Sequence, residues 1–180
     1  MDIISSERLE LRLIEIDDKY DIFSYRSEPE IYRYQSWKPV SVEDVHEFIT
    51  NRIVREPNIP GTWLQLAIII KGTKELIGDT GIHFIRSDPN QVEIGITIKK
   101  QRQGMGYAAE TLTLVFDYIF LKLMKHRIIA SVDPNNQASI KLMEKMNMRK
   151  EAHFVKSVYI DSKWVDDIVY AILEEEWKNN

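Results

Sequence analysis

Residues 92–110, Val-Glu-Ile-Gly-Ile-Thr-Ile-Lys-Lys-Gln-Arg-Gln-Gly-Met-Gly-Tyr-Ala-Ala-Glu, decide how the rest of the chain is read. Val92, Ile94, Ile96 and Ile98 alternate with polar or small residues, the period of a strand with one buried face. A polar, basic turn follows. A helix then begins near Tyr107, with Leu112, Val115, Phe116, Ile119 and Phe120 recurring at helical spacing. Gly104 and Gly106 accept left-handed dihedrals and let a ligand approach the backbone closely. The unpaired N–H groups of the helix start would point into this turn, beside the positive end of the helix dipole. Such an arrangement binds anions, usually phosphate. A phosphorylated cofactor is expected here.

The nucleotidase P-loop is excluded, because no Gly-Lys-Ser/Thr follows the turn. A dinucleotide fingerprint is the nearer alternative. Gly104-Met105-Gly106-Tyr107-Ala108-Ala109 fits G-x-G-x-x-A, and the acidic Asp133 ends the next strand. Against it, Lys99 to Gln103 separate the strand from the first glycine, and the chain finishes in a hairpin pattern rather than further βα repeats.

Gln101-x-x-Gly104-x-Gly106 resembles the Q/R-x-x-G-x-G/A signature of the GNAT N-acetyltransferases. Other matches stand in order around it. Ser6 to Arg12 is similar to the opening strand of the branch containing the ribosomal-protein N-terminal acetyltransferases. Leu76-Ile77-Gly78 and Glu93-Ile94-Gly95 are similar to that branch's third and fourth strands. Asn136-Gln137-Ala138-Ser139 resembles its N-x-x-S helix, and Trp164 to Trp177 its last strand and tail.

The resemblance implies an α+β fold: a mixed, mostly antiparallel sheet flanked by helices and splayed between its fourth and fifth strands, here 92–98 and 127–132. It implies acetyl-coenzyme A as co-substrate and no metal. The pantetheine would pair with Ile96, Thr97 and Ile98, because buried backbone groups in a splayed ladder need partners. The backbone of Gln103, Gly104, Met105, Gly106, Tyr107 and Ala108 would take the pyrophosphate, and Gln101 and Arg102 before it would also contact the cofactor. Asn136 would cap its helix, contact the pantetheine, or both. Ser139 would give a proton to the departing sulfur. Two places depart from the wider superfamily. Met143 stands where many members carry a tyrosine, and Asn147-Met148 replaces Gly-Phe after the helix. Asparagine tolerates the left-handed cap, so that turn can survive. Methionine cannot donate a proton, which leaves a non-catalytic coenzyme A sensor as a rival reading.

Composition sets the limits. At 180 residues with 44% hydrophobic and 29% charged side chains, a single globular domain over 1–180 is expected. No apolar run approaches the roughly 20 residues that span a bilayer, and Met1-Asp2-Ile3-Ile4 does not read as a signal peptide. A cytoplasmic protein without membrane contact is expected, as monomer or homodimer. Cysteine is absent, which removes a thiolate nucleophile and points to direct transfer. Residues 99–150 hold ten Lys and Arg against four acids within a chain of net −4. Most are solvated helix faces, yet the excess lies where the resemblance puts the phosphates. No basic run interleaved with aromatics suggests nucleic acid.

Periodicity predicts strands at 8–14, 63–70, 76–85, 92–98, 127–132, 152–159 and 164–173. It predicts helices over about 18–28 (capped by Asp17 or Asp18, stopped by Pro29), 42–55 (capped by Ser41, with Asp44 closing a capping box), 107–124 and 136–146. Glu93 leaves its strand on the face opposite the apolar set, with Gly95 and Thr97, and is the candidate base. His83 is the alternative, and Tyr159 an alternative acid. Tyr32, Tyr34, Trp37, Trp63, Tyr159 and Trp164 are candidates to line the acceptor pocket. The acceptor, a small-molecule or peptide amine, is not legible: protein N-termini, small amines, amino-sugar antibiotics and polyamines all fit.

Overall fold

The computed structural model describes residues 4–160 and 162–179. Parts of two expectations, the lack of a leader at Met1 to Ile4 and the connection between the strands expected at 152–159 and 164–173, lie outside the described residues. The chain opens with β1 (Ile4–Ser5) and β2 (Leu9–Leu13), then α1 (Lys19–Arg26), α2 (Pro29–Tyr32) and α3 (Val42–Asn51). A short β3 (Ile53–Val54) leads to β4 (Trp63–Ile70), β5 (Leu76–Phe84) and β6 (Gln91–Ile98). After α4 (Tyr107–Asp117) come β7 (Arg127–Val132), α5 (Gln137–Lys145), β8 (Arg149–Ile160), β9 (Lys163–Leu173) and α6 (Glu174–Lys178). One sheet runs β1-β2-β4-β5-β6-β7-β9-β8, with β3 beside β4. Among the described residues only β3–β4 and β6–β7 pair in parallel. This is the expected α+β architecture, and the expected fourth and fifth strands are β6 and β7. The continued βα repeats of a dinucleotide fold are absent, since β9 inserts antiparallel beside β7.

Parallel neighbours need a crossover, and α4 supplies it. Leu112, Val115 and Phe116 are fully buried on its inner side, and Ile119 and Phe120 continue that side in a π turn over Tyr118–Lys122. Each such burial contributes about 1.5–3 kcal/mol. Local reading erred at three ends. Pro29 does stop α1, but it does so by opening α2 at the first helical position, where its missing N–H is not needed. The Asp18 carboxylate does not cap α1; it accepts from Glu15 N–H at 2.7 Å and from Arg12. The third helix ends at Asn51 because Ile53 and Val54 pair with Trp63 and Leu64, a tertiary preference invisible to periodicity. The Ser41–Asp44 capping box forms as expected, with Asp44 N–H to Ser41 Oγ at 3.1 Å.

The sheet opens where the site forms. β6 pairs with β5 along its length, from Val92 opposite Phe84 to Ile98 opposite Gly78. With β7 it pairs only from Gln91 to Glu93. A Cβ on Gly78 would lie 2.1 Å from the Thr97 carbonyl oxygen, so glycine lets the end of β6 close on β5 while β7 diverges. Lys99 N–H donates to Ile77 O at 2.8 Å. By alternation Thr97 and Gly95 aim their backbone at β5, and Ile94, Ile96 and Ile98 aim theirs at the gap. Side chains on one face line up across the strands as Trp63–His83–Glu93, Gln65–Gly81–Gly95 and Ala67–Asp79–Thr97. Helices α1 to α3 cover this face over Ala67 and Ile69 with Ile22, Tyr25, Val45 and Ile49. Beyond that cover, Glu93, Gly95 and Thr97 border a cavity.

Candidate active site

Two cavities meet at the gap. One, of about 630 Å3, lies between the end of β6, the glycine turn and the starts of α4 and α5. The other, of about 450 Å3, lies over the Glu93 face, walled by residues 34–37, the end of β7 and β9. They share Tyr34, Gln35, Ile96, Thr97, Asn136 and Ser139.

The glycine turn borders the larger cavity. Gly104 and Gly106 have φ of 76° and 84°, the left-handed values expected of them. Gly106 immediately precedes α4, so the unpaired N–H groups of that helix start open beside the turn. Ile96, Thr97 and Ile98 line this cavity, as do Arg102, Gln103 and Gly104. Gly106, Tyr107 and Ala108 follow, and Asn136 and Ser139 face them from α5. Gln101 and Met105 do not line it: Gln101 is exposed, and the Met105 side chain is 49% exposed. The Arg102 guanidinium is held by Glu75, with Nε 3.2 Å from Oε1. Gln103 Nε2 donates to Ile98 O at 2.9 Å, which occupies that carbonyl on the edge of β6 that faces the gap. Lys141 and Lys145, one helical turn apart, add positive charge that no single motif announced. The basic excess over 99–150 was their only signal.

The turn is braced from behind. Arg8 lies over the Tyr107 ring at 4.7 Å and donates from Nε to Glu110 at 2.8 Å. Ser6 Oγ donates to the same carboxylate. Burial pushes the Glu110 carboxyl up, but the hydrogen bonds from Ser6 and Arg8 outweigh it and hold the group below its ordinary range.

The smaller cavity carries Glu93 at its edge. His83, directly opposite on β5, brings Nδ1 to 3.4 Å from Glu93 Oε2 and stacks on Trp63 at 4.8 Å. The two candidate bases therefore form one couple, and Glu93 is the member that lines the cavity. Tyr34, Trp37 and Trp63 also line it. Tyr32 lies outside it, and so do Tyr159 and Trp164, which pack ring to ring at 5.2 Å and are more than half exposed. Their neighbours Val158, Ile160 and Val165 face inward instead.

From α5, Asn136 Oδ1 accepts Ser139 N–H at 3.2 Å, the expected cap. Ser139 is thus in the first turn, where no helical carbonyl stands one turn behind it. Among the described residues its hydroxyl makes no hydrogen bond, unlike Thr113, whose Oγ1 donates to Ala109 O at 3.1 Å. Met143 is buried and lines the smaller cavity. Asn147 takes the left-handed cap at φ 57°.

Sequence reading missed a buried charged group beside this cavity. Asp79 is 1% exposed and accepts from Arg26 Nε and Nη2 at 3.1 and 2.5 Å, from the Tyr25 hydroxyl and from Gln65 Nε2. Burial, with the negative charge of Asp79 adding to it, raises the Tyr25 hydroxyl well above its ordinary range. Charge divides between the cavities. Arg33, Lys100, Arg102, Lys141 and Lys145 against Glu30 line the larger. Glu93, Asp133, Asp166 and Asp167 against Arg26 line the smaller. Among the described residues no cluster of three or more His, Asp or Glu is arranged to hold a metal, and no helix is long and apolar enough to cross a membrane.

Known proteins share this architecture. Residues 8–149 match the family described as acetyltransferase (GNAT) domain. The chain is 29% identical to the uncharacterized N-acetyltransferase p20 of Bacillus licheniformis, over 98% of this chain and 99% of that one. It is 24% identical to the ribosomal protein uS5-alanine N-acetyltransferase of Escherichia coli, over 97% and 92%. A crystal structure of a GNAT-family acetyltransferase from Bacillus anthracis superposes with a TM-score of 0.85 at 30% identity, covering 97% of this chain and all of that one. A spermidine N-acetyltransferase from Vibrio cholerae, solved with CoA and spermine, gives a TM-score of 0.82 at 23% identity over 97% and 100%.

Proposed function

Because the chain belongs to the GNAT acetyltransferase family, we propose that it transfers an acetyl group from acetyl-coenzyme A directly to a primary amine, as one cytoplasmic domain. The observation that carries this reading is the pair of cavities of opposite charge joined at Thr97, Asn136 and Ser139. A polyphosphorylated cofactor suits the basic one and a cationic amine the acidic one. The Gly106 turn offers the cofactor two left-handed glycines and a helix start. The unpaired edge at Ile96 suits an amide-bearing chain that pairs like a strand.

Acetyl transfer has two proton problems. The amine must lose a proton before its lone pair attacks the thioester carbonyl, and the sulfur must accept one as the C–S bond breaks. An α-amino group, with pKa near 7.7–8.0, is partly neutral at about pH 7. A lysine-like amine near 10.4 needs about 3.4 units of help, or about 4.6 kcal/mol. Glu93, backed by His83, takes the amine proton, directly or through water. Ser139, whose hydroxyl is uncommitted at the junction, protonates the sulfur. Met143, standing where many members carry a tyrosine, cannot take that role.

Calorimetric titration tests the reading. The parent should bind acetyl-coenzyme A and not NAD. Gly106→Val should bind it about tenfold more weakly or worse, since a β-branched residue at φ 84° is strained by about 1–3 kcal/mol. Binding of NAD alone would overturn the assignment. Tight binding of acetyl-coenzyme A with no release of coenzyme A against a broad amine and peptide panel would favour the sensor.

A further inference from the structure

Gln35 stands where the two cavities meet, and both ends of its amide are held. Its Oε1 accepts from Arg26 Nη1 at 2.6 Å, and its Nε2 donates to Thr97 Oγ1 at 2.9 Å. A guanidinium can only donate, so Arg26 dictates which way the amide faces. Arg26 itself cannot swing. It is 9% exposed, and its other donors are committed to Asp79.

A buried ion pair is weak evidence for stability, because well-packed apolar residues of similar volume often do as well. What this one supplies is a fixed post. The post holds segment 34–37, which carries four of the side chains bordering the smaller cavity: Tyr34, Gln35, Ser36 and Trp37. Trp37 lies under Arg26 at 5.4 Å and stacks on Phe48 at 4.3 Å, so the far end of the segment is pinned as well. Across the passage stands Thr97, on the strand whose far side faces the gap. The Gln35–Thr97 bond therefore bridges the passage from roof to floor.

The geometry points to Gln35 as a positioning residue that seals the passage between the cavities. Anchored on Arg26–Asp79 and latched to Thr97, it orders the acceptor wall and restricts the access of water to the thioester. This rests on the acetyl-transfer reading of the two cavities. Without the seal, water attacks the carbonyl carbon in place of the amine. A C–O bond forms, the C–S bond breaks, and the proton lost by water ends on the sulfur, giving acetate and coenzyme A. Water exclusion suppresses such side reactions.

The test uses the full chain, with thiol release from acetyl-coenzyme A measured with and without an amine that the parent accepts. Gln35→Ala should raise amine-independent release and the amine KM, each by about 2–10-fold, the range implied by losing hydrogen bonds of ordinary net strength. The Kd for acetyl-coenzyme A should stay within about twofold, less than one such bond. Gln35→Glu should keep the parent's amine-independent release, because its carboxylate still accepts from Arg26 and can accept from the Thr97 hydroxyl, while its added charge is read separately in the amine KM. Thr97→Val cuts the latch at its other end and should leak like Gln35→Ala even if the latter folds poorly. Parental background release in either latch-cutting variant, or a Gln35→Glu as leaky as alanine, overturns the seal. Failure of the parent to bind acetyl-coenzyme A would instead refute the acetyl-transfer reading.

Discussion

The cofactor side of the site centres on one stretch, Ile96 to Ala109, flanked by residues 30–35 and by α5 with the two residues before it, whereas the acceptor side gathers residues scattered from Arg26 to Asp167. On the proposed reading, the pyrophosphate is the same for every acceptor, and local backbone geometry suffices for it: glycines at positive φ and a helix start. An acceptor has no fixed shape, so its walls come from wherever the sheet brings side chains together. Trp63, His83 and Glu93 are neighbours only because β4, β5 and β6 hold them in register. Ser139 belongs to both sides, and replacing it should have the largest effect. Ser139→Ala should lower kcat by about 10²–10⁴-fold, the range for a general acid, because proton donation matters chiefly in the transition state. The Kd for acetyl-coenzyme A should hardly move. A variant with parental kcat would return proton donation to water and leave Ser139 as a wall.

Glu93→Gln sharpens the comparison from the acceptor side alone. We expect a loss of roughly 10²-fold in kcat/KM at low pH, the lower end for a general base. The loss should shrink as pH rises toward the pKa of the amine, because the free base then needs no help. It should also be larger for a lysine-like amine than for an α-amine. Rates across pH with two acceptors of different basicity measure this. A uniform loss would make Glu93 a group that positions the amine, with His83 left as the candidate base.

How far the sequence could be read follows from the same division. Alternation at 92–98 and helical spacing from Leu112 to Phe120 are local signals, and both elements formed where they pointed. The Ser41 and Asn136 caps and the left-handed Asn147 were local too. The Asp79–Arg26–Gln35 group was not. Arg26 ends a helix, Asp79 sits mid-strand and Gln35 follows a turn, and no spacing links them. Only the packing of α1 on the face carrying Asp79 and Thr97 makes them one unit. Tyr159 and Trp164 failed in the opposite direction: aromatic identity suggested a pocket, but strand alternation turned them outward and Val158, Ile160 and Val165 inward.

The smallest expected effect lies behind the cofactor turn, in the Arg8–Glu110 pair. Glu110 has a carboxyl held below its ordinary range, so its contribution to stability is complete above the unfolded value of about 4.3. That contribution is lost as pH falls through the depressed folded value, when the carboxylate must take up a proton and release Ser6 and Arg8. The Arg8 side chain is 47% exposed and Glu110 21%, so solvent screens much of the attraction. Glu110→Gln should therefore lower Tm at pH 7 by only roughly 2–4 °C, and the Tm difference from the parent should shrink as pH falls below about 4.3 and vanish once pH passes below the depressed folded value. Acetyl-coenzyme A affinity should fall by about twofold, because Arg8 and Glu110 support the turn from behind and are not among the residues lining the cavity. Thermal melts of both proteins from neutral to acid pH decide the matter. A Tm difference that persisted unchanged into acid would mean that Glu110 braces the turn by packing, and that its charge contributes nothing.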